Sequence, residues 1–348
     1  MPRPIPNILD AFATQGWALH ERFLDSAIEV LDRRNAVGAD LDALAAALEA
    51  KAARASAERT PSKLSASPLA SQVKAAGGDV TVVRDPDSDA DQRGGFDSQA
   101  GEVGDELYTL FAPPGGRMGS GVAVVPIRGV LAQRASMING MSQPDGMSYG
   151  RAAKAVLAAA ADPRVAMDRS GRRGKILLDI DSPGGTVAGV DTLLSAIRRV
   201  RAGGTEVHAY AGDMAASAAY WVACCCETVT GPMQATVGSV GVYCVVTDSS
   251  GMDRKGVKKI LVASGPAKGA GADGAPVTPV QLSYIAREIL TLAAGFAGDV
   301  RAARNLSDEQ MSEVATGAAF AGPDAVALGL LDATRSFDDV VSALVESL

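Results

Sequence analysis

The sequence predicts an α/β fold: a largely parallel sheet flanked by helices, with a helical C-terminal part and a helical N-terminal arm. Three observations predict it. Between residues 121 and 265, short apolar runs rich in β-branched residues alternate with segments of helical periodicity, which implies right-handed βαβ units. Residues 279–348 carry the periodicity of three or four helices. In residues 1–52, Trp17, Leu19, Phe23, Ile28, Val30 and Leu31 recur near helical spacing, continued by Leu41, Leu44, Ala45 and Leu48.

Taken in order, residues 53–104 shift to Ala, Ser, Asp, Gly and Lys. The stretch DPDSDADQRGGFDSQAGEVGDE has too little apolar surface to order itself, so 53–104 reads as a flexible linker between the arm and a catalytic body at 105–348. GVAVVPIRG (121–129) reads as a buried strand, and SYGRAAKAVLAAAADP (148–163) as a helix stopped by Pro163. KILLDID (175–181) is a second buried strand. Val187, Val190, Leu193, Leu194, Ile197 and Val200 then line one helical face, ended by Gly203-Gly204. A strand at 206–212, a helix at 214–226 and strands at 227–231, 237–249 and 258–265 complete the expected set.

Composition narrows the function. The 348 residues carry a formal net charge of -7, which offers no basic surface for nucleic acid. No apolar run reaches the length of a membrane span, and the N-terminus lacks the apolar core of a secretory signal. The chain is therefore expected to stay where it is made, in the cytoplasm. Three of the four cysteines are adjacent (Cys224, Cys225, Cys226), with Cys244 apart. That is neither a disulfide framework nor a zinc spacing, so no metal or cofactor is expected.

Two βα turns carry the candidate chemistry. D-S-P-G-G-T at 181–186 sits between a strand and a long helix, where open parallel sheets place ligand sites. Gly184 and Gly185 can take positive φ and aim backbone N–H groups outward, as an oxyanion hole requires; a plain tight turn is the simpler alternative. A-A-S-A-A-Y at 215–220 sets Ser217 among small residues at the next such turn. That suits an exposed nucleophile at a helix start, and equally a serine capping an alanine-rich helix. Both turns lie at the same end of the sheet.

A nucleophilic serine needs a base, and the chain has only two histidines. His20 lies in the arm, and His208 lies mid-strand, where a core or a solvated histidine is the simpler reading. A lysine can serve if its surroundings favour the neutral amine. Lys268 stands alone among small residues in SGPAKGAGADGAP, although a solvated loop lysine has the same appearance, whereas Lys255, Lys258 and Lys259 cluster with Arg254.

Together ILLDIDSPGGTV, AYAGDMAASAAYWVACCCETVTG, ATVGSVGVY, VASGPAKG and GAAFAGPDAVALGLLD, in that order, resemble the S49 peptidases: signal peptide peptidase A and the phage head maturation proteases. The resemblance covers about residues 121–335. It implies a Clp protease/crotonase-like fold of repeated ββα units and a Ser-Lys dyad of Ser217 and Lys268. It also implies that Ser239 orients the lysine, that backbone at Gly184, Gly185 and Ala218 forms the oxyanion hole, and that the chain forms a ring-shaped homo-oligomer. Ser217-Ala218-Ala219 and Lys268-Gly269 depart from the Ser-Gly-Gly and Lys-Asp of many signal peptide peptidases, and the S-A-A-Y-W run at 217–221 looks more like the phage branch.

The function so implied is a serine endopeptidase, with protein or peptide substrates. In a phage it would cut scaffold, portal or coat protein within a prohead in the host cytoplasm, and would cut itself within 53–104. In a bacterium it would clear peptide remnants in the cytoplasm. Two rivals belong to other classes: a crotonase-like acyl-CoA enzyme, which would need carboxylates near the same turns, and a non-enzymatic scaffold-binding ring.

Overall fold

The computed structural model describes residues 67–85, 106–113, 115, 117–133, 146–251 and 258–348, and the backbone of 17–19. The helical positions expected from Phe23 to Leu48, His20, Arg254, Lys255 and the linker segments 53–66 and 86–104 lie outside these residues.

In chain order the elements are β1 (Trp17–Leu19), α1 (Pro68–Ala75), β2 (Asp79–Arg84), β3 (Glu106–Ala112), β4 (Val122–Arg128), β5 (Val130–Ala132), β6 (Gly146–Ser148) and α2 (Tyr149–Ala161). There follow β7 (Lys175–Ser182), β8 (Gly184–Thr186), α3 (Val190–Ala202), β9 (Glu206–Ala216), α4 (Ala218–Cys224), β10 (Val229–Gly231) and β11 (Thr236–Gly238). The C-terminal part comprises α5 (Pro279–Arg304), α6 (Asp308–Val314), β12 (Ala319–Ala321), α7 (Gly322–Ala327), β13 (Ala333–Thr334) and α8 (Phe337–Glu346).

The main sheet runs β12-β11-β9-β7-β4-β3-β2, with β10 and β13 beside the first half of β9. Its centre, β4-β7-β9-β11, is parallel, and antiparallel strands close both ends. A second, small sheet runs β1-β8-β5-β6. The chain crosses between the two repeatedly: β4 leads into β5, β7 into β8, and a helix follows each pass. This is the expected α/β fold of repeated ββα units around a largely parallel sheet.

Both faces of the sheet are covered, as a parallel sheet requires. Along β4 and β7, Ala123, Val125, Ile127, Ile176, Leu178 and Ile180 enter the core that holds α2, α3 and α4. The alternate residues Val122, Val124 and Leu177 pack with Leu69 of α1 and Val340, Val341 and Leu344 of α8. The period-two side-chain alternation of a strand divides one apolar run between two cores.

Four expectations need correction. Residues 68–84, expected in the flexible linker, are part of the body. Ser67 caps α1, and β2 pairs with β3, because the β-branched run DVTVVR supplies a strand despite its acidic neighbours. Trp17–Leu19, expected as helix, is strand. Residues 214–216, also expected as helix, extend β9, and the helix starts only at Ala218. The strands expected at 239–249 and 258–265 do not form: past Gly238 the chain leaves the sheet, Tyr243 makes only an isolated bridge, and among the described residues no strand runs beside 258–265. Ile260 and Val262 stand 81% and 91% exposed there.

Candidate active site

Ser217 is the hinge between β9 and α4. Its φ of 54° and ψ of -124° are outside the regions that side-chain-bearing residues ordinarily adopt, a strain that persists only where the surroundings enforce it. The enforcement is visible. Ser217 N–H donates to the Gly238 carbonyl at 2.7 Å, and the Ser217 carbonyl accepts from Trp221 N–H at 2.9 Å. Every residue of α4 is buried. Trp221 stacks on Phe296 of α5 at 4.6 Å and its indole N–H donates to Asp299 at 2.8 Å, while Tyr220 O–H donates to the Leu330 carbonyl at 2.8 Å. The serine is thus held by a helix that cannot tilt.

Ser239 lies directly beside it. β9 and β11 run parallel with Ala216 opposite Gly238, so Ser217 and Ser239 leave adjacent strand ends, their backbones about 5 Å apart. Ser239 is buried and shares the unusual backbone, with a φ of 52°, and its N–H donates to the Ala318 carbonyl at 2.7 Å. On the other side of Ser217, Ser182 pairs with Ala215, which brings the Pro183–Gly185 turn alongside. Gly184 has a φ of 105°, and a Cβ on Gly185 would overlap the Leu131 carbonyl, so each glycine is needed where it stands. The N–H of Gly184 donates to Ser182 Oγ at 3.1 Å, and that hydroxyl donates to the Gly129 carbonyl at 2.6 Å. Ala218 is the first residue of α4, where a backbone N–H has no acceptor inside the helix.

The structure therefore gathers Ser217, Ser239, Gly184, Gly185 and Ala218 at one end of the parallel strands. Among the described residues no hydrogen bond or strand pairing ties Lys268 to them. Lys268 is exposed in a turn, with its N–H donating to the Gly265 carbonyl at 3.1 Å and its carbonyl accepting from Gln281 Nε2 at 3.4 Å. Among the described residues no hydrogen bond joins it to Ser217. His208 sits nine residues up β9, about 30 Å away at ~3.3 Å per residue. Its ring bonds Thr228 Oγ1 at 2.9 Å and Glu206 Oε2 at 3.2 Å, and burial holds its pKa below the usual value. It is a core histidine, as the sequence suggested. A cavity of about 320 Å³ beside His208, Thr230 and Asp332 opens at this far end and has no part in the serine site.

Cys224, Cys225 and Cys226 are buried free thiols, and no cluster of metal-ligating residues occurs among the described residues. No helix among them is long and apolar enough to cross a membrane.

Comparison with known proteins agrees with this geometry. Residues 199–348 match the model of Peptidase family S49. The chain is 30% identical over 235 residues to the capsid assembly protease C of Escherichia phage lambda, covering 66% of this chain and 50% of that protein. It is 30% identical over 234 residues to the head-tail preconnector protein GP5 of Enterobacteria phage P21, 67% of this chain and 44% of the relative. It is 26% identical over 224 residues to Protease 4 of Salmonella typhi, 62% of this chain and 34% of the relative. Over residues 199–348 the chain is of peptidase family S49. It spans from a third to a half of the length of these three relatives. The family match takes in Ser217, Ser239 and Lys268 of the S49 chain, while the Gly184–Gly185 turn lies upstream of it.

Proposed function

We propose that the chain is a serine endopeptidase in which Ser217 is the nucleophile and Lys268 the general base. The observation that carries it is the backbone of Ser217: a side-chain-bearing residue forced to positive φ at a strand–helix junction, with the Gly184–Gly185 turn beside it. A helix cap needs no such strain, and Ser217 makes no side-chain cap bond.

In this reading the neutral Lys268 amine takes the proton from Ser217 Oγ as the oxygen attacks a peptide carbonyl. The carbonyl oxygen becomes an oxyanion, held by the N–H groups of Ala218 and Gly185. Gly184 N–H joins them only if Ser182 Oγ releases it, and otherwise its role is the turn itself. Collapse of the intermediate passes the proton from lysine to the leaving amine. Water then attacks the acyl-serine by the same route, releasing the acid and restoring both residues. Ser239, next to the nucleophile, hydrogen-bonds and orients the lysine.

Lys268 reaches this position through a neighbouring copy in a ring. The unpaired, exposed apolar run around Ile260 and Val262 supports this, because a second chain would supply both the missing strand partner and the cover that a neutral lysine requires. The peptidase body is residues 105–348 with 68–84 added. The substrates are scaffold, portal or coat proteins cut in a phage prohead within the host cytoplasm, a setting supported by the likeness to a phage capsid assembly protease and a phage head-tail preconnector protein. The likeness to Protease 4 favours the second setting, a bacterial cytoplasmic peptidase. No carboxylate adjoins Ser217 among its described hydrogen bonds, which disfavours the acyl-CoA reading.

The test is hydrolysis of casein and of Ala-rich peptides by the purified chain. Ser217→Ala and Lys268→Ala should each lower the rate by on the order of 10³-fold or more. Normal cleavage by Lys268→Ala alongside a dead Ser217→Ala would remove the lysine from the mechanism.

A further inference from the structure

The short strand β1 lies far upstream of the body in sequence, yet it pairs antiparallel with β8: Trp17 opposite Thr186, Ala18 opposite Gly185, Leu19 opposite Gly184. The other edge of β8 is taken by β5, so without β1 the Gly184–Thr186 backbone would be a free sheet edge. That edge packs on α4, the helix that begins next to Ser217. A free edge of this kind binds extended peptide through main-chain hydrogen bonds that any sequence can make. Two of the three partner residues are glycines, which lets another backbone approach closely.

We propose that Trp17–Leu19 is a built-in occupant of the peptide-binding edge, a strand of the chain's own arm that must leave β8 before a substrate can pair there. This rests on the peptidase reading for its consequence, but not for the docking itself. Being part of the same molecule, the segment competes at an effective concentration on the order of millimolar, so it holds off weak peptides and yields to substrates with further contacts. The arm thereby sets a threshold for substrate entry.

The deciding experiment is hydrogen exchange on the full-length chain. Adjacent strand residues turn their N–H groups to opposite edges, so the double variant Ala18→Pro/Leu19→Pro removes a donor from the paired edge whichever residue supplies it. The amides of Gly184, Gly185 and Thr186 should be slow to exchange in the native chain and at least ten-fold faster in the variant. A synthetic peptide of residues 13–23, added in excess to the variant, should restore the protection, which a misfolded variant could not show. Peptide hydrolysis by the variant should rise several-fold through a lower KM. Equal exchange in the two proteins overturns the docking, and faster exchange with unchanged hydrolysis overturns the competition. Faster exchange with no hydrolysis by either protein upholds the docked strand and instead defeats the peptidase reading.

Discussion

The β9–α4 junction and the loop that carries Lys268 are built to opposite standards. At Ser217 both the N–H and the carbonyl are hydrogen-bonded, the helix behind it is buried on all sides, and strain at φ 54° is held by hydrogen bonds from both flanks. Over the described residues between Val240 and Thr278 the chain makes turns, one bridge at Tyr243, a surface Lys259–Asp273 ion pair and a few hydrogen bonds to Asp248 and Ser249. A surface pair of that kind stabilises by at most ~1 kcal/mol. The serine end is therefore finished by the chain's own core, and in the proposed mechanism the lysine end is completed by a neighbouring copy.

The largest effect expected from this contrast is at Trp221. Trp221→Ala removes the stack on Phe296 and the indole bond to Asp299, and should destabilise the fold by about 3–5 kcal/mol. Chemical denaturation with a near-ultraviolet probe measures it. A loss below 1 kcal/mol would mean that α4 is not anchored as described. Next comes Gly238, whose φ of 104° and carbonyl bond to Ser217 N–H tie the two serine-bearing strand ends together. Gly238→Ala should cost ~1–3 kcal/mol and, by shifting that carbonyl, lower the hydrolysis rate more than the stability loss explains. Hydrolysis that keeps its native rate in the folded variant would show that the carbonyl does not position the nucleophile.

How much of this was legible beforehand follows the same division. The strands at 175–182 and 122–128 were readable to within a residue because buried parallel strands are continuous apolar runs bounded by glycine or proline. Ser217 and the Gly184–Gly185 turn were readable because strained turns admit only small residues. The segment 214–216 was misread because alanine suits helix and strand alike when everything around it is buried, and packing decides. Residues 79–84 were hidden in an acidic stretch whose average composition masks six residues of strand. The unpaired run at 258–263 has strand composition, yet a strand exists only beside another. Pairing between segments distant in sequence is also why β1 could not be seen: three residues of Trp-Ala-Leu fit a helical period as well as an edge strand, and only β8 chooses between them.

His208 sharpens the contrast by pH. It lies on β9, nine residues before Ser217 and beside Val340 and Leu344 of α8, and burial lowers its pKa below the ordinary histidine value. An unfolded chain then binds the proton more readily than the native one. Stability is complete above the ordinary pKa of about 6.5 and declines as pH falls through it toward the lower native value. Thermal unfolding of the native chain between pH 7.5 and pH 5 should show this decline, and His208→Asn should flatten it. Parallel curves for the two proteins would remove His208 as its source.

The smallest effect on the fold, and the one that tests the other side of the comparison, is at Ile260 and Val262. Both are so exposed that the double variant Ile260→Ser/Val262→Ser should change the unfolding free energy of a single chain by no more than about 0.5 kcal/mol. Exposed apolar side chains on an unpaired extended segment are instead what an interface buries. Sedimentation should therefore show the native chain associating and the variant shifted toward monomer. Hydrolysis should fall with association, since Lys268 would no longer be delivered to a neighbour's Ser217. A variant that is monomeric and still fully active would place the dyad within one chain, with the loop folding back to close it. A variant that associates normally would assign the ring contact to some other surface. Either result would separate the position of the lysine from the question of assembly, which the geometry of the serine alone leaves joined.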